Sequence, residues 1–315
     1  MIPQHLKLIP FGNDAAYCKE HDLFFGSAAT NREPSKPLSV CIGTGTRCNL
    51  VCAVCSSDSK PRGRFVAHEQ IEQLLEWLKQ FAPLRLVWSG GEPTLLPQIR
   101  ALVEASIDHN FHNVVTTNMS AGDPLVDLAG QFSYAVSLYG TDEASYFDST
   151  HHRRGFWDFR RHFDTLFANG QIVCVNLRIE SGWWKYVPAC LTWLKAYPIK
   201  KLLLSNTRSG GRVLGTHRAA GESELAELLQ YLQSEPTTFP IVYPAPQTVG
   251  KIEQGYLYME PALDTPDSVL VAGRLCRGAD EVISAVAARA ADNRRLFLMQ
   301  SYICPAHWLT SDGHA

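Results

Sequence analysis

Six short apolar runs, alternating with stretches whose apolar residues recur at helical spacing, constrain this 315-residue chain more than any other feature. The runs are Ser39–Thr44, Arg85–Ser89, Asn113–Thr117, Tyr134–Tyr139, Ile172–Ile179 and Lys201–Ser205. Parallel strands need a crossover between neighbours, and a helix fits each interval. Ile71, Leu74, Leu75 and Leu78 mark one helix, and Ile99, Leu102, Val103 and Ile107 another. Phe159, Phe163, Leu166 and Phe167 mark the fourth; Val187, Cys190, Leu191 and Leu194 mark the fifth. The sixth carries Leu225, Leu228, Leu229 and Leu232, starts at Gly221-Glu222-Ser223 and stops at Pro236. The rhythm predicts an α/β fold with a parallel sheet. In such folds ligands meet the loops at the carboxyl ends of the strands.

The rhythm breaks on both sides. Residues 1–37 form a lead-in with little periodicity, 38–235 carry the βα units, and 236–315 read as a small α+β cap over the open side of the sheet. The cap is rich in Pro and Tyr, with short apolar runs at Ile241-Val242-Tyr243, Tyr256-Leu257-Tyr258-Met259 and Leu296-Phe297-Leu298-Met299. A formal net charge of −2 gives no electrostatic reason to expect a nucleic-acid or membrane partner. No run of about 18 apolar residues is present, and the N-terminus lacks a signal-peptide pattern. Nine cysteines without a secretory signal point to a reducing cytoplasm.

Three of those cysteines, Cys48, Cys52 and Cys55, form a C-x3-C-x2-C cluster within eight residues. Three thiolates at this spacing can hold three irons of a cubane cluster and leave the fourth iron open to chemistry. Structural zinc usually takes four ligands, commonly from two C-x2-C knuckles, and no second knuckle follows. A zinc-stabilised binding module with a distant fourth ligand is the alternative from a different class.

The resemblance goes further. Ser89-Gly90-Gly91-Glu92-Pro93 lies at the end of the second strand, followed by Thr116-Thr117-Asn118, Val136-Ser137-Leu138-Tyr139-Gly140 and Arg153-Arg154-Gly155. With the cysteine cluster, these motifs resemble the radical S-adenosylmethionine (radical SAM) superfamily over roughly residues 38–235, close to members with a SPASM/twitch-like cap. The resemblance implies a partial (βα)6 TIM-like barrel with the cysteine loop, Gly90-Gly91-Glu92 and Asn118 on one mouth. It implies that Cys48, Cys52 and Cys55 bind a [4Fe–4S] cluster, and that Gly90, Gly91 and Glu92 bind the methionyl amine of S-adenosylmethionine. Asn118 and Ser137 join them as cofactor contacts, and Arg153 or Arg154 takes the methionyl carboxylate. Val54 stands where the family often has an aromatic residue, so adenine packing is expected to be weaker there.

Other readings rest on the residues alone. Along Ile172–Ile179, Cys174, Asn176 and Arg178 alternate with apolar neighbours and should face the barrel lumen, making Arg178 a second candidate for an anion. Turn formation explains Gly90 and Gly91 equally well, and solvent exposure explains the arginine pair. Cys190 reads as core, and Cys174 as a buried structural thiol. His151-His152 and Glu180 are loop-end acid–base groups without an assigned role. Cys276 and Cys304 lie in the cap, as ligands of a possible auxiliary iron–sulfur cluster, as a hydrogen-atom donor, or as buried core.

The expectation is an enzyme that cleaves S-adenosylmethionine reductively and abstracts a hydrogen atom. An external one-electron reductant such as flavodoxin or ferredoxin would supply the electron. The 37 lead-in residues are short for a leader-peptide-binding domain, which favours a small polar metabolite such as an amino sugar, epimerised or dehydrogenated. A peptide epimerase or cross-linking enzyme is the second enzymatic expectation.

Overall fold

The computed structural model describes residues 6–11, 15–26, 36–206, 219–243, 257–265, 268–298 and 301–303. Each of the six apolar runs is a strand. Numbered after three short lead-in strands (β1, Leu8–Pro10; β2, Ala16–Cys18; β3, Leu23–Phe25), they are β4 (Ser39–Gly43), β5 (Arg85–Ser89), β6 (His112–Thr117), β7 (Ser133–Leu138), β8 (Ile172–Ile179) and β9 (Lys201–Asn206). All six pair in parallel in chain order. Their outward residues, among them Ile42, Trp88, Val115, Val136 and Val175, are fully buried against the helices. Inward-facing Cys41, Val87, Val114 and Ala135 form a smaller cluster inside the barrel.

The expected helices are α1 (His68–Lys79), α2 (Ile99–Asp108), α4 (Gly155–Ala168), α5 (Val187–Leu194) and α6 (Glu222–Ser234); an additional helix, α3 (Glu143–Thr150), follows β7. Asp142 caps α3 by accepting from the Ser145 amide at 2.9 Å, and His151 ends it in the left-handed region at φ 55°. Only Tyr146 and Thr150 of this helix are buried.

The lead-in is more ordered than its sequence suggests. β1, β2 and β3 form an antiparallel sheet. The turn after β2 delivers Asp22 to the amino-terminal end of the barrel. There Arg85 Nη1 donates to both carboxylate oxygens at 2.7 Å, and Lys201 Nζ donates to the Asp22 carbonyl at 2.8 Å. Tyr17 donates to Oδ1 at 2.8 Å. Burial would raise the Asp22 carboxyl, but the Arg85 and Lys201 charges hold it well below the usual carboxylate range.

Past α6, the cap adds strands to both edges of the sheet. β10 (Ile241–Tyr243) runs parallel to β9, while β11 (Tyr258–Pro261) runs parallel to β4 and leads into the β12 (Ser268–Val271) and β13 (Arg274–Arg277) hairpin. α7 (Gly278–Leu298) follows, and β14 (Ser301–Ile303) returns antiparallel to β10. The run beginning Leu296-Phe297-Leu298 is the last turn of α7 rather than a separate apolar segment. Asn293 fixes this helix to the start of β4: its side-chain oxygen accepts from Leu38 and Ser39 amides at 2.9 and 3.1 Å, and its nitrogen donates to Ser39 O at 2.8 Å. Among the described residues, no helix is long and apolar enough to cross a membrane.

Candidate active site

The site is assembled from loops at the carboxyl ends of the strands. After β4 the chain turns at Gly45 (φ 107°) into the cysteine loop, and after β5 it turns at Gly90 (φ 119°). These two turns are joined by their backbones. Gly91 N donates to Gly45 O, and Glu92 N donates to Arg47 O, both at 2.8 Å. A Cβ on Gly91 would stand 1.9 Å from Arg47 O, and one on Gly90 would stand 2.7 Å from Gly45 O. Glycine is therefore required here by the close approach of the cysteine loop itself.

Glu92 is buried, and its carboxylate is already well bonded. Oε1 accepts from Thr94 N at 3.2 Å and Thr94 Oγ1 at 2.7 Å, while Oε2 accepts from the Asn118 amide at 2.7 Å. Burial pushes the Glu92 carboxyl up, and hydrogen bonds from Asn118, Thr117 and Thr94 oppose the shift. Asn118 carries the connection onward. Its side-chain nitrogen approaches Cys48 Sγ at 3.6 Å and donates to Asn49 Oδ1 at 2.9 Å.

The three thiols share one wall of a cavity of about 620 Å³. Cys48 and Cys52 are buried; Cys55 is half-buried. Backbone N–H groups point at two of the sulfurs, Leu50 N to Cys48 at 3.4 Å and Ser59 N to Cys55 at 3.3 Å. Burial pushes the Cys48 thiol up to about 12, with Glu92 adding to the shift and the Leu50 amide opposing it. Among the described residues, no three His, Cys, Asp or Glu side chains gather as a single metal ion would require. Zinc ligands about 2.3 Å from one ion would crowd far closer together than the corners of a cubane cluster. Soft donors on one wall, amides aimed at sulfur and an adjoining cavity fit an iron–sulfur cluster held by three cysteines.

Gly90, Gly91, Glu92, Asn118, Ser137 and Arg178 line the same cavity. The opposite wall brings Asn176 and Arg178 of β8 together with Glu180, Lys185, Tyr186 and Ser205. Arg178 Nε donates to Glu180 Oε1 at 2.6 Å, and the Glu180 amide donates to the Tyr186 hydroxyl at 2.7 Å. Tyr186, Lys185 and Ser205 carry no motif, so only the fold gathers them. Cys190 sits in the core stripe of α5 as expected, yet also reaches the cavity wall.

Two expected groups fall elsewhere. Arg153 and Arg154 are exposed at the junction of α3 and α4 and line no part of the cavity. Gly155, the next residue, is closely packed: a Cβ there would stand 2.6 Å from His152 Nδ1 and 2.7 Å from the Tyr146 ring. Cys276 is fully buried in β13 opposite Val269, within the apolar core, and lines no part of the cavity. Cys304 lies outside the described residues.

Residues 42–179 match the family model of the Radical SAM superfamily. Among curated proteins, none matches the chain. Streptococcus suis SuiB bound to S-adenosylmethionine superposes with a TM-score of 0.61 at 16% identity, over 80% of this chain and 61% of SuiB. SuiB bound to precursor peptide SuiA gives 0.66 at 14% identity, over 83% of this chain and 67% of that one. The anSMEcpe structure with bound AdoMet and Cp18Cys peptide gives 0.58 at 16% identity, over 83% of each chain. At these identities the likeness is one of fold, a partial barrel of parallel βα units. The chain spans 61% of the length of SuiB in its S-adenosylmethionine complex.

Proposed function

We propose that this chain, which carries a radical SAM domain over residues 42–179, is an enzyme that cleaves S-adenosylmethionine reductively and abstracts a hydrogen atom from a polar substrate. One observation carries the reading: the cysteine loop, the Gly90-Gly91-Glu92 turn and Asn118 meet through direct hydrogen bonds at the wall of a single cavity.

Cys48, Cys52 and Cys55 would hold the [4Fe–4S] cluster. When bound, cluster and S-adenosylmethionine together supply a one-electron cleavage that yields a 5′-deoxyadenosyl hydrogen-atom abstractor. The protein's part is positioning. Asn118 orients Cys48, and Glu92 holds Asn118 in place. The glycine turn offers backbone polar groups to the methionyl amine, with Ser137 and Arg178 available to the cofactor's remaining polar groups. Leu50, Val54 and Tyr139 provide the apolar surroundings that keep water from a reactive carbon centre.

The polar wall of Asn176, Arg178, Glu180, Lys185 and Ser205 supports a substrate rich in hydroxyl, amine or carboxylate groups. A small polar metabolite of amino-sugar type, epimerised or dehydrogenated, fits this wall. A peptidyl substrate is the second reading, supported by the fold likeness to SuiB and anSMEcpe structures that hold peptides.

The test is anaerobic reconstitution with iron and sulfide, followed by dithionite and S-adenosylmethionine. Wild-type protein should be brown, bleach on reduction and form 5′-deoxyadenosine. The Cys48→Ala/Cys52→Ala/Cys55→Ala variant should do none of these. Product formation by that variant would overturn the assignment. Arg178→Ala should weaken S-adenosylmethionine or substrate binding, whereas Arg153→Ala should leave both unchanged.

A further inference from the structure

We propose, resting on the radical SAM reading above, that Ser57 is a positioning residue that couples occupancy of the Gly90 carbonyl to the reduction potential of the cysteine-held cluster. Its hydroxyl stands between two halves of the site. Ser57 Oγ donates to Gly90 O at 3.0 Å and lies 3.5 Å from Cys55 Sγ. No motif marks this serine; the path of the cysteine loop brings it there.

The loop is shaped to hold it. Asp58 N donates to Cys55 O at 3.5 Å, closing a turn, and Asp58 takes the left-handed region at φ 47°. The returning arm is pinned to the strand side of the loop: Lys60 N donates to Thr46 O at 3.0 Å, and Cys48 N to Lys60 O at 3.1 Å. Ser57 and Ser59 consequently both line the cavity, while Asp58 between them is exposed. Their two hydroxyls lie 2.9 Å apart, and the amide of the buried Ser59 donates to Cys55 Sγ at 3.3 Å.

A serine hydroxyl carries one proton to donate. With Gly90 O as its acceptor, that proton is withheld from Cys55. A cation at Gly90 O changes the preference. The methionyl ammonium, which the glycine turn receives in the reading above, repels the Ser57 proton, and the Cys55 thiolate attracts it. The hydroxyl then turns from carbonyl to sulfur. Hydrogen bonds to cluster sulfurs help set the reduction potential, and a donor stabilises the negative charge that an added electron brings. Ser57 therefore favours the reduced cluster only when the turn is filled. The proton stays on Ser57 throughout, and no bond forms or breaks except the hydrogen bond that changes acceptor. Linkage makes the effect reciprocal: through Ser57, a ligand carrying that ammonium binds the reduced protein more tightly than the oxidised one.

The experiment is an anaerobic redox titration of reconstituted full-length protein, read by the electron paramagnetic resonance signal of the reduced cluster. It is run with and without S-adenosylhomocysteine, which has the same amine and carboxylate but no sulfonium to cleave. Without the analogue, Ser57→Ala should match wild type. With it, the variant should have the lower midpoint potential. The ratio of analogue affinities for reduced and oxidised protein should fall about fivefold. Ser57→Thr, which keeps the hydroxyl, should restore wild-type values in both conditions. The signal reads only cluster-loaded molecules, so partial loss of iron does not obscure the comparison. Equal potentials with the analogue in Ser57→Ala and wild type overturn the proposal. So does a potential lowered equally with and without it, which would make Ser57 a constant donor to sulfur. A Ser57→Ala protein that holds no cluster would assign the residue to cluster retention and overturn the coupling as well. Wild-type protein that assembles no cluster, or makes no 5′-deoxyadenosine with dithionite and S-adenosylmethionine, would instead bring down the radical SAM reading.

Discussion

Asn118 donates its backbone N–H to Glu92 Oε2 at 2.7 Å while its side chain reaches Cys48 Sγ at 3.6 Å. One residue at the end of β6 thus links the glycine turn after β5 to a thiol on the loop after β4. Glu92 in this arrangement supports the thiol loop from behind, whatever it also offers to a ligand.

Glu92→Ala should therefore lower stability as well as S-adenosylmethionine affinity. It leaves buried donors on Thr94 and Asn118 without an acceptor, at about 2–4 kcal/mol in total. Glu92→Gln, which keeps one oxygen, should lose less. Urea unfolding of the apo protein measures this directly. An Ala variant as stable as wild type would mean that the carboxylate serves the ligand alone.

Gly91→Ala should fail for a different reason. Its methyl group would be driven to 1.9 Å from Arg47 O, and the two turns would have to part. A loss of about 1–3 kcal/mol is expected, with reduced iron retention. Gly130→Ala is the contrast, because its Cβ would meet nothing within 4 Å and only the φ of 79° is strained. Equal iron content and thermal midpoints in the two variants would contradict the packing argument.

Cluster assembly should depend on pH. Burial pushes the Cys48 thiol up to about 12, so a proton must leave when iron binds. Iron affinity should climb as pH rises from about 7 to 9, with proton release detectable in weakly buffered solution. An affinity independent of pH over that range would count against it.

The six barrel strands were legible because each is covered on one or both faces, which writes continuous or alternating apolar runs into the sequence. α3 was not. It buries only Tyr146 and Thr150, leaving no stripe to read. β1, β2 and β3 are three residues each, too short to show a period. α7 hides its apolar side in Ala285 and Ala290, interleaved with Val282 and Val286. At the site, thiols and paired glycines were visible as residue types. What the glycines approach was not, since the clashing carbonyl of Arg47 belongs to another loop. Arg153 and Arg154 occur in the motif order expected of carboxylate contacts, yet order along a chain does not say which way a side chain faces.

Acid should act at the other end of the barrel. Asp22 is held well below the usual carboxylate range, so its contribution is complete above about pH 4, where the unfolded side chain is ionised. That contribution drains away as pH falls toward the folded value. Asp22→Asn leaves Arg85 and Lys201 buried without their counter-charge, and should lower stability at pH 7 by about 3–5 kcal/mol. Its unfolding free energy should also decline less between pH 5 and 3 than that of wild type. Parallel declines in the two proteins would remove Asp22 as the source.

The same carboxylate sets an order of events during synthesis. Asp22 emerges 63 residues before Arg85 and 179 before Lys201. Its turn can touch both partners only after β9 exists, so a segment synthesised ahead of the barrel is among the last to lock. Until then Tyr17 and Phe24 have no completed barrel floor to cover. A fluorophore on the lead-in sheet would report the barrel's completion, and a stalled chain ending before Lys201 should leave that sheet open to protease.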